Sequence, residues 1–552
     1  MNPNTNTPNI IHPNQPSAPI TPGTVPPSAP APVPSNVKPP KKQKIWVWIV
    51  AVLVVLAAAG GGYYYYKHYY HKAKPVATTS AKRDISLIRV GISDGSVSPY
   101  YPDPNSTASV GDIEIQDQIF EGLIGYQGGN KFVPLLATSW TNPNESTWIF
   151  TLRPNVKFHS GHTMTATDVK YSIDNFKDTS YGSSNDYGST IKATTILAPD
   201  KIQITTDGPD PTLLGRLAVL DIIDSHNAKQ SDPTNGTGPY TLKPGTDPSK
   251  SGIIDLVAYD NYWGGHVYSR ELQFSFPTDE NQGATLLKDH KLDIYSDFSE
   301  TSVLKSLQQA NISTIQLPAT AVSLFQLNTK LAGSPLTNLA FRQALNLALN
   351  RDALITASGK QGTPINQLVP VSIPGYDRDI SVPKQNITQA KALIAQSGIK
   401  NPTLTLSYTD EDALGKEAQT ELAAIGVTLK LNPIADLDSF YSQVADGKLE
   451  MSYYGFGTAV LDASDVLQSF SKNPNFDDPT FDQVLTSANQ TIDAQKHIQL
   501  LQKASQILSQ DVAVIPVSTD NYYTGLTLKG ANMTADIPSV NLGVYFWKIY
   551  QR

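Results

Sequence analysis

Two histidines three residues apart, His159 and His162, are the first residues in this chain whose type and spacing suggest chemistry, as imidazole ligands of a divalent ion. A closed site needs a second pair of donors. The surrounding text, Lys157-Phe158-His159-Ser160-Gly161-His162, supplies no such pair at a recognisable spacing, so no metal is expected. His68 and His71 follow a long apolar run and read as residues of a membrane interface. Serine, histidine and aspartate occur throughout, but never in a G-x-S-x-G setting, and no GxxxxGK[ST] or GxGxxG loop is present to cradle a phosphate. With no cysteine in 552 residues there is no thiol nucleophile, thiolate zinc site, disulfide framework or lipid-anchoring cysteine. The chemistry expected is therefore binding rather than catalysis, without a cofactor.

The elements that would position a binding site follow from composition. A chain of 552 residues exceeds one simple core, and 40% hydrophobic with 16% charged residues suits a globular body of two or more lobes. A net charge of -7 argues against nucleic acid as a partner. Residues 1–44 are Pro-rich and, before Lys38, uncharged, which predicts a disordered tail. Ile45 to Tyr66 is apolar and then tyrosine-rich. It spans about 22 residues, or ~33 Å as a helix, enough to cross a bilayer. Trp46 and Trp48 at one end and the tyrosine run at the other suit the two interfaces. The long segment before it favours an uncleaved signal anchor over a signal peptide cut after Ala57-Ala58-Ala59. Lysines flank both sides (Lys41, Lys42 and Lys44; Lys67, Lys72 and Lys74), so charge alone gives only a slight bias to a cytoplasmic N-terminus.

Beyond a polar linker, 67–84, regular elements begin. Ile85 to Ile92 and Thr147 to Leu152 have strand patterns, and Gly111 to Ile124 spaces Ile115, Ile119 and Leu123 as one helix face. Thr165-Ala166-Thr167-Asp168 has capping-box form ahead of Val169, Ile173 and Phe176. Later, strands (Phe325 to Thr329, Thr403 to Tyr408, Val427 to Leu431, Leu449 to Tyr454, Val512 to Val517) alternate with helices (around Phe341 to Leu349, Lys416 to Ala424, Leu437 to Val444, Gln483 to Ser509). That alternation predicts a mainly parallel sheet covered on both faces.

Five stretches in a fixed order carry more than pattern: Ile119-Phe120-Glu121-Gly122-Leu123, Leu152-Arg153-Pro154-Asn155-Val156-Lys157-Phe158-His159-Ser160-Gly161, Gly236-Thr237-Gly238-Pro239-Tyr240, Asn261-Tyr262-Trp263-Gly264-Gly265, and the helix opening Phe341-Arg342-Gln343-Ala344-Leu345. Together they resemble the extracytoplasmic solute-binding proteins of the peptide/nickel class, family 5, across nearly all of 85–552. The resemblance implies an α/β, two-lobed periplasmic-binding-protein-like fold (class II, cluster C type) with a hinge, here behind an N-terminal transmembrane helix. Lobe I would be 85–319 with an extra subdomain at about 130–235, lobe II 320–517, and 518–552 a return to lobe I. The hinge strands would run near Asn328 and Val514. Tyr240 reads as a core or hinge residue and Trp263 as packing inside its own motif.

The implied site is a cleft that holds extended solutes mainly by their backbone. Carried over by position, the ligand-binding candidates are Ser106, Thr107 and Ala108 in a first-lobe loop, Asn328, then Tyr408, Thr409, Phe456, Ala459 and Asp462 in the second lobe. Ser106 to Ala108 read equally well as a plain turn, and Asp462 as a structural residue. Ala459 stands where peptide-binding relatives carry the aspartate that pairs with the ligand's amino group. Thr409-Asp410-Glu411-Asp412 stands where dipeptide binders carry a basic residue. Neither end of a free dipeptide finds its usual counter-charge, which favours longer, cationic or non-peptide solutes. The expectation is a single-pass cell-membrane protein, monomeric, with its body outside, handing peptide-like or other small solutes to an ABC importer permease. An anchored ligand sensor without a transporter fits the same features.

Overall fold

The computed structural model describes residues 82–93, 110–127, 131–177, 190–227, 234–457, 461–528, 531, 544 and 546–551. The anchor expected at 45–66 and the linker to residue 81 lie outside them. No helix among the described residues is long and apolar enough to cross a membrane.

Two large sheets organise the body. The first has seven strands in the order Ser313–Gln316, Tyr523–Leu526, Ile294–Phe298, Ile88–Ile92, Glu271–Ser275, Ile254–Ala258, Tyr240–Leu242. Ile88, Val90 and Ile92 are fully buried, as are Leu256, Leu272, Phe274 and Ile294 on its neighbours. A four-stranded antiparallel sheet (Ala137–Asn144, Thr147–Leu152, Lys201–Thr206, Ile191–Ala198) forms a subdomain on this lobe. Its strand Thr147–Leu152 buries Trp148, Phe150 and Leu152 and leaves the alternate residues half-exposed, the period of two read from the sequence. The helix Ala166–Lys177 covers it with Val169, Ile173 and Phe176. Its predicted capping box forms: the Thr165 N–H and hydroxyl both donate to Asp168, at 2.7 and 3.0 Å.

The second sheet has six strands in the order Gly362–Pro364, Val514–Asp520, Ala321–Leu327, Met451–Gly457, Thr403–Tyr408, Thr428–Pro433. It is not mainly parallel. Only Thr403–Tyr408 runs parallel to its neighbours; Ala321–Leu327 is antiparallel to both Met451–Gly457 and Val514–Asp520. The reason is topological: one of those strands brings the chain in from the first lobe and the other takes it back, so they must run in opposite senses. The helix Leu339–Ala348 packs Phe341, Ala344, Leu345 and Ala348 onto this sheet's core. Its Arg342 donates to the Asp511 carbonyl (2.7 and 2.9 Å) and the Leu336 carbonyl, which satisfies an orphan acceptor at the end of Ala494–Asp511. The helix expected over Gln483 to Ser509 is two, Pro479–Asn489 and Ala494–Asp511, because Asp493 caps a new start by accepting the Lys496 N–H.

The lobes are joined at 317–320 and 521–522. Gln316 pairs with Tyr523 in the first sheet and Val322 with Thr519 in the second, while the Leu317 N–H reaches the Tyr522 carbonyl between them. A third connection, around Glu300 and Lys360, is stitched by the Thr301 and Gln361 N–H groups. The hinge position expected at Asn328 is thus corrected: Asn328 follows the far end of its strand, some seven residues and ~20 Å from the crossing. On one side the lobes touch. A single apolar cluster contains Leu123, Phe150, Ile202 and Leu217 of the first lobe together with Leu461, Val466, Phe481 and Leu501 of the second lobe.

Candidate solute-binding site

Four of the five motifs that carry the family resemblance converge around one buried side chain, Glu121. Its carboxylate accepts from the Thr237 hydroxyl (2.8 Å), the Tyr262 hydroxyl (2.8 Å) and the Trp263 indole (2.7 Å). Arg153 stacks its guanidinium on Trp263, 4.3 Å from the ring centre. Burial pushes the Glu121 carboxyl up to about 7 against the pull of those donors and of Arg153. The loop 236–239 lies directly on the preceding helix end: a Cβ on Gly236 would sit 1.9 Å from the Ile119 carbonyl oxygen. Tyr240 is fully buried and donates to the Ser269 carbonyl. His159 has both ring nitrogens committed here, within 3.1 Å of the Thr234 carbonyl and 3.0 Å of the Gly238 carbonyl. This junction is scaffold, with its polar groups turned inward.

The binding candidates lie elsewhere, and not all together. Ser106, Thr107, Ala108 and Ala459 fall outside the described residues. Asn328 is buried, and its amide donates to the Gly447 and Leu449 carbonyls, which removes it from the crossing and from any cleft. Asp462 is also corrected. It caps the helix Ala463–Gln468 through the Ser464 N–H (2.9 Å) and pairs with buried His497 at 3.1 Å, so its oxygens are engaged. Burial pulls the His497 imidazole down, but Asp462 and the Ala488 carbonyl outweigh it and raise it. Tyr408 is buried and spends its hydroxyl on Asp412 at 2.6 Å, which fixes the acidic loop that follows. Thr409, on that loop, bonds Asp410.

Phe456 lies half-buried near the end of the strand Met451–Gly457. The strand Met451–Gly457 is paired along its whole length with Ala321–Leu327 on one side. On its other side, among the described residues, pairing with Thr403–Tyr408 covers only Met451 and Ser452. From Tyr453 onward no strand among the described residues pairs with that edge, and Gly455 and Gly457 are exposed. Alternate faces of the edge differ. One carries Tyr454 and half-buried Phe456 in an edge-on aromatic row that continues to Tyr441 and Phe470. The other carries glycine, with the Asp520 carboxylate above it: a Cβ on Gly455 would lie 3.5 Å from Asp520 Oδ2.

Asp520 is the residue that sequence reasoning missed. It accepts the Ser323 hydroxyl at 2.8 Å, and the nearby Lys360 donates to Glu411 at 2.6 Å. Burial raises the Asp520 carboxyl, Ser323 and Lys360 lower it, and Glu411 raises it again. Three acids (Asp410, Glu411, Asp520) influence Lys360, so the patch is short of positive charge. The signal available in the sequence was faint: the apolar return strand turns polar at Ser518-Thr519-Asp520-Asn521. Chemically, an exposed strand edge with an aromatic wall and an acidic wall can accept an extended backbone and a cationic group together.

Comparison with known proteins places these features in context. The family model of bacterial extracellular solute-binding proteins, family 5 Middle, matches residues 131–478. Heme-binding protein A of Haemophilus influenzae is 23% identical over 453 residues, 73% of this chain and 81% of that protein. The nickel-binding periplasmic protein of Escherichia coli is 25% identical over 421 residues, 68% of this chain and 76% of that protein. Among solved structures, the periplasmic binding protein DppA from Helicobacter pylori in complex with the peptide STSA superposes with a TM-score of 0.67 at 22% identity, covering 85% of this chain and 98% of that one. The two-lobed fold is therefore the periplasmic-binding-protein-like one.

Proposed function

The chain belongs to the bacterial extracellular solute-binding proteins of family 5, the binding components of ABC importers, and from that premise we propose that it is a membrane-anchored, extracytoplasmic receptor for peptide-like solutes bearing a positive charge. The observation that carries the peptide reading is the free edge from Tyr453 to Gly457. An extended peptide can add to it as a further strand, its main chain supplying most of the affinity. Asp520 and Glu411 supply what Ala459 lacks, a carboxylate for an amino terminus or a basic side chain. The half-buried Asp520 carboxylate, its charged form disfavoured by desolvation, gains most from an incoming ammonium. A free dipeptide covers little of such an edge, so peptides of three residues or more are the preferred class. The hinge segments 317–320 and 521–522 would let the lobes close over the solute as rigid bodies. The anchor rests on the sequence of 45–66.

Calorimetry of the full chain in detergent tests this, with tri- to pentapeptides carrying a free or an acetylated amino terminus. Asp520→Asn should weaken binding of the free-amine peptides by roughly 10–150-fold, the value of a charge-assisted hydrogen bond of about 1.5–3 kcal/mol. The acetylated peptides should change little. Equal losses for both series, or no binding of any such peptide, would exclude this assignment.

A further inference from the structure

Away from the solute site, four potential metal ligands converge in the first lobe: one ligand atom each from His162, Asp168, Asp224 and His226, all within 4.8 Å of one another. His162 closes the hairpin of the Lys157–Thr163 bridge, with its ring stacked on Phe158 at a 7° interplanar angle. Asp224 and His226 belong to the turn around Ser225–Asn227, 62 residues later (224 minus 162). The rings of His162 and His226 lie 3.9 Å apart between centroids. Both present Nδ1 to the same oxygen, Asp224 Oδ1, at 3.2 and 3.4 Å.

These separations are informative. An ion held at ~2.0–2.1 Å by nitrogen and oxygen ligands in tetrahedral array keeps those ligands ~3.3–3.4 Å apart. The contact between His162 and Asp224 also lacks hydrogen-bond geometry: Nδ1 of His162 is a buried atom with no hydrogen-bond partner among the described residues. A buried imidazole nitrogen is left without a partner among the described residues, within 4.8 Å of the other ligand atoms. The carboxylate is held in place from outside. Asp224 Oδ2 accepts from Ser160 and from Asn235, each at 3.0 Å, and Oδ1 accepts the His226 N–H at 2.9 Å. Asp168 has both oxygens occupied: one takes the Thr165 N–H and hydroxyl, the other the Ser225 N–H (3.1 Å) and hydroxyl (2.7 Å). It orients the turn rather than completing the ligand set, the usual task of groups just outside a metal's coordination shell. Exposure grades outward, with the side chains of Asp224, His162 and His226 at 3%, 31% and 65%, which leaves one face for water.

We propose that His162, Asp224 and His226 form a binding site for a divalent first-row transition ion of the zinc, nickel or copper type. Two imidazoles and one carboxylate suit such ions and are a poor match for calcium or magnesium, which take oxygen. The ion would tie the hairpin at Phe158–His162 to the turn at Ser225–Asn227. It is independent of the solute, since none of the three ligands belongs to the acidic patch around Asp520.

The test uses the full chain in a His68→Gln/His71→Gln background, so that the N-terminal histidines do not contribute, stripped with EDTA and titrated with Zn²⁺ and Co²⁺. One equivalent should bind, the Co²⁺ form should show d–d absorption bands, and Zn²⁺ should raise the thermal midpoint. His162→Gln/His226→Gln should abolish all three while matching the parent's midpoint and circular dichroism in EDTA. Asp168→Asn should weaken the ion by roughly 10–100-fold without changing the stoichiometry. Absence of Zn²⁺ binding up to millimolar concentration overturns the proposal. So does equal binding by the parent and the double histidine variant, which would place the ion elsewhere, in the solute cleft included.

Discussion

Deleting the Glu121 carboxylate tests whether the family's motifs are held together by a single buried acceptor. Glu121→Ala leaves three buried donors, on Thr237, Tyr262 and Trp263, without their partner. Orphaned donors cost about 1–3 kcal/mol each, with the two hydroxyls at the low end because they can re-aim and the indole N–H at the high end because it cannot. The carboxylate's own burial works the other way. Its pKa of about 7 in place of 4.5 is equivalent to roughly 3 kcal/mol against the charged form at neutral pH, and deletion recovers that. The net cost expected is about 2–4 kcal/mol. Glu121→Gln should behave differently, staying within about 1 kcal/mol of the wild type: its amide oxygen can still accept from Thr237 and Trp263, its NH₂ can donate to a reversed Tyr262 hydroxyl, and no charge is buried. A two-lobed chain need not unfold in one step, so the assay is hydrogen exchange read locally, over 119–123, 236–240 and 259–264. Exchange in all three segments should accelerate together in the alanine variant and hardly at all in the glutamine variant. Equal acceleration by both, or acceleration confined to one segment, would refute the idea that satisfied donors at Glu121 join them.

Two further outcomes are expected. Desolvation lifts several carboxyls of the first lobe, Glu114 and Glu121 to about 7, Asp221 to about 8, and Asp117 well above its usual value. Folded-state values above the unfolded ones mean that the native state binds more protons between about pH 4.5 and 8, so their contribution is present at low pH and lost as pH rises. The thermal midpoint should therefore fall between pH 6 and 8.5, with His497, also raised, acting in the same direction; a midpoint that holds or rises over this range would contradict it. The second concerns the anchor: protease applied to intact cells should remove the body and leave a small N-terminal fragment containing 45–66, whereas a mature N-terminus near Gly60 would show a cleaved signal instead.

What was legible in the sequence, and what was not, divides along a physical line. Four of the five motifs were readable because they constrain one another by contact: Gly236 has a carbonyl where a Cβ would go, Thr237 and Trp263 share one carboxylate oxygen, and Tyr240 is sealed in the core; the fifth, opening at Phe341, is fixed instead by the second lobe's core. Dense packing leaves few residue types that fit, so identity survives in the text. Strand and helix spacing was readable for the same reason, since burial imposes the period, as Trp148, Phe150 and Leu152 show. Strand direction was not. Alternation of strands and helices suggested a parallel sheet, but Ala321–Leu327 and Val514–Asp520 are crossings between lobes, and nothing in their composition records which way they run.

The proposed solute site was the least legible part, and its construction explains why. Ser323, Lys360, Glu411, Gly455 and Asp520 come from five separate segments and meet only where the chain passes between lobes. Each is an ordinary residue locally, and no periodicity marks it. Reading along the chain placed the missing counter-charge at Ala459 and looked for a substitute one loop away, at Asp462. That residue is committed to a helix cap and to His497. The carboxylate that faces Gly455 comes from the strand returning to the first lobe, some sixty residues further on, at Asp520. The backbone-binding cleft proposed above would make this possible. Because the free edge from Tyr453 to Gly457 would hold a peptide by its main chain, the charged partner need not sit at a fixed place in one loop; it need only reach the edge from any neighbouring strand. Selectivity can then change without disturbing the scaffold around Glu121, since none of Ser323, Lys360, Glu411, Gly455 and Asp520 belongs to that scaffold.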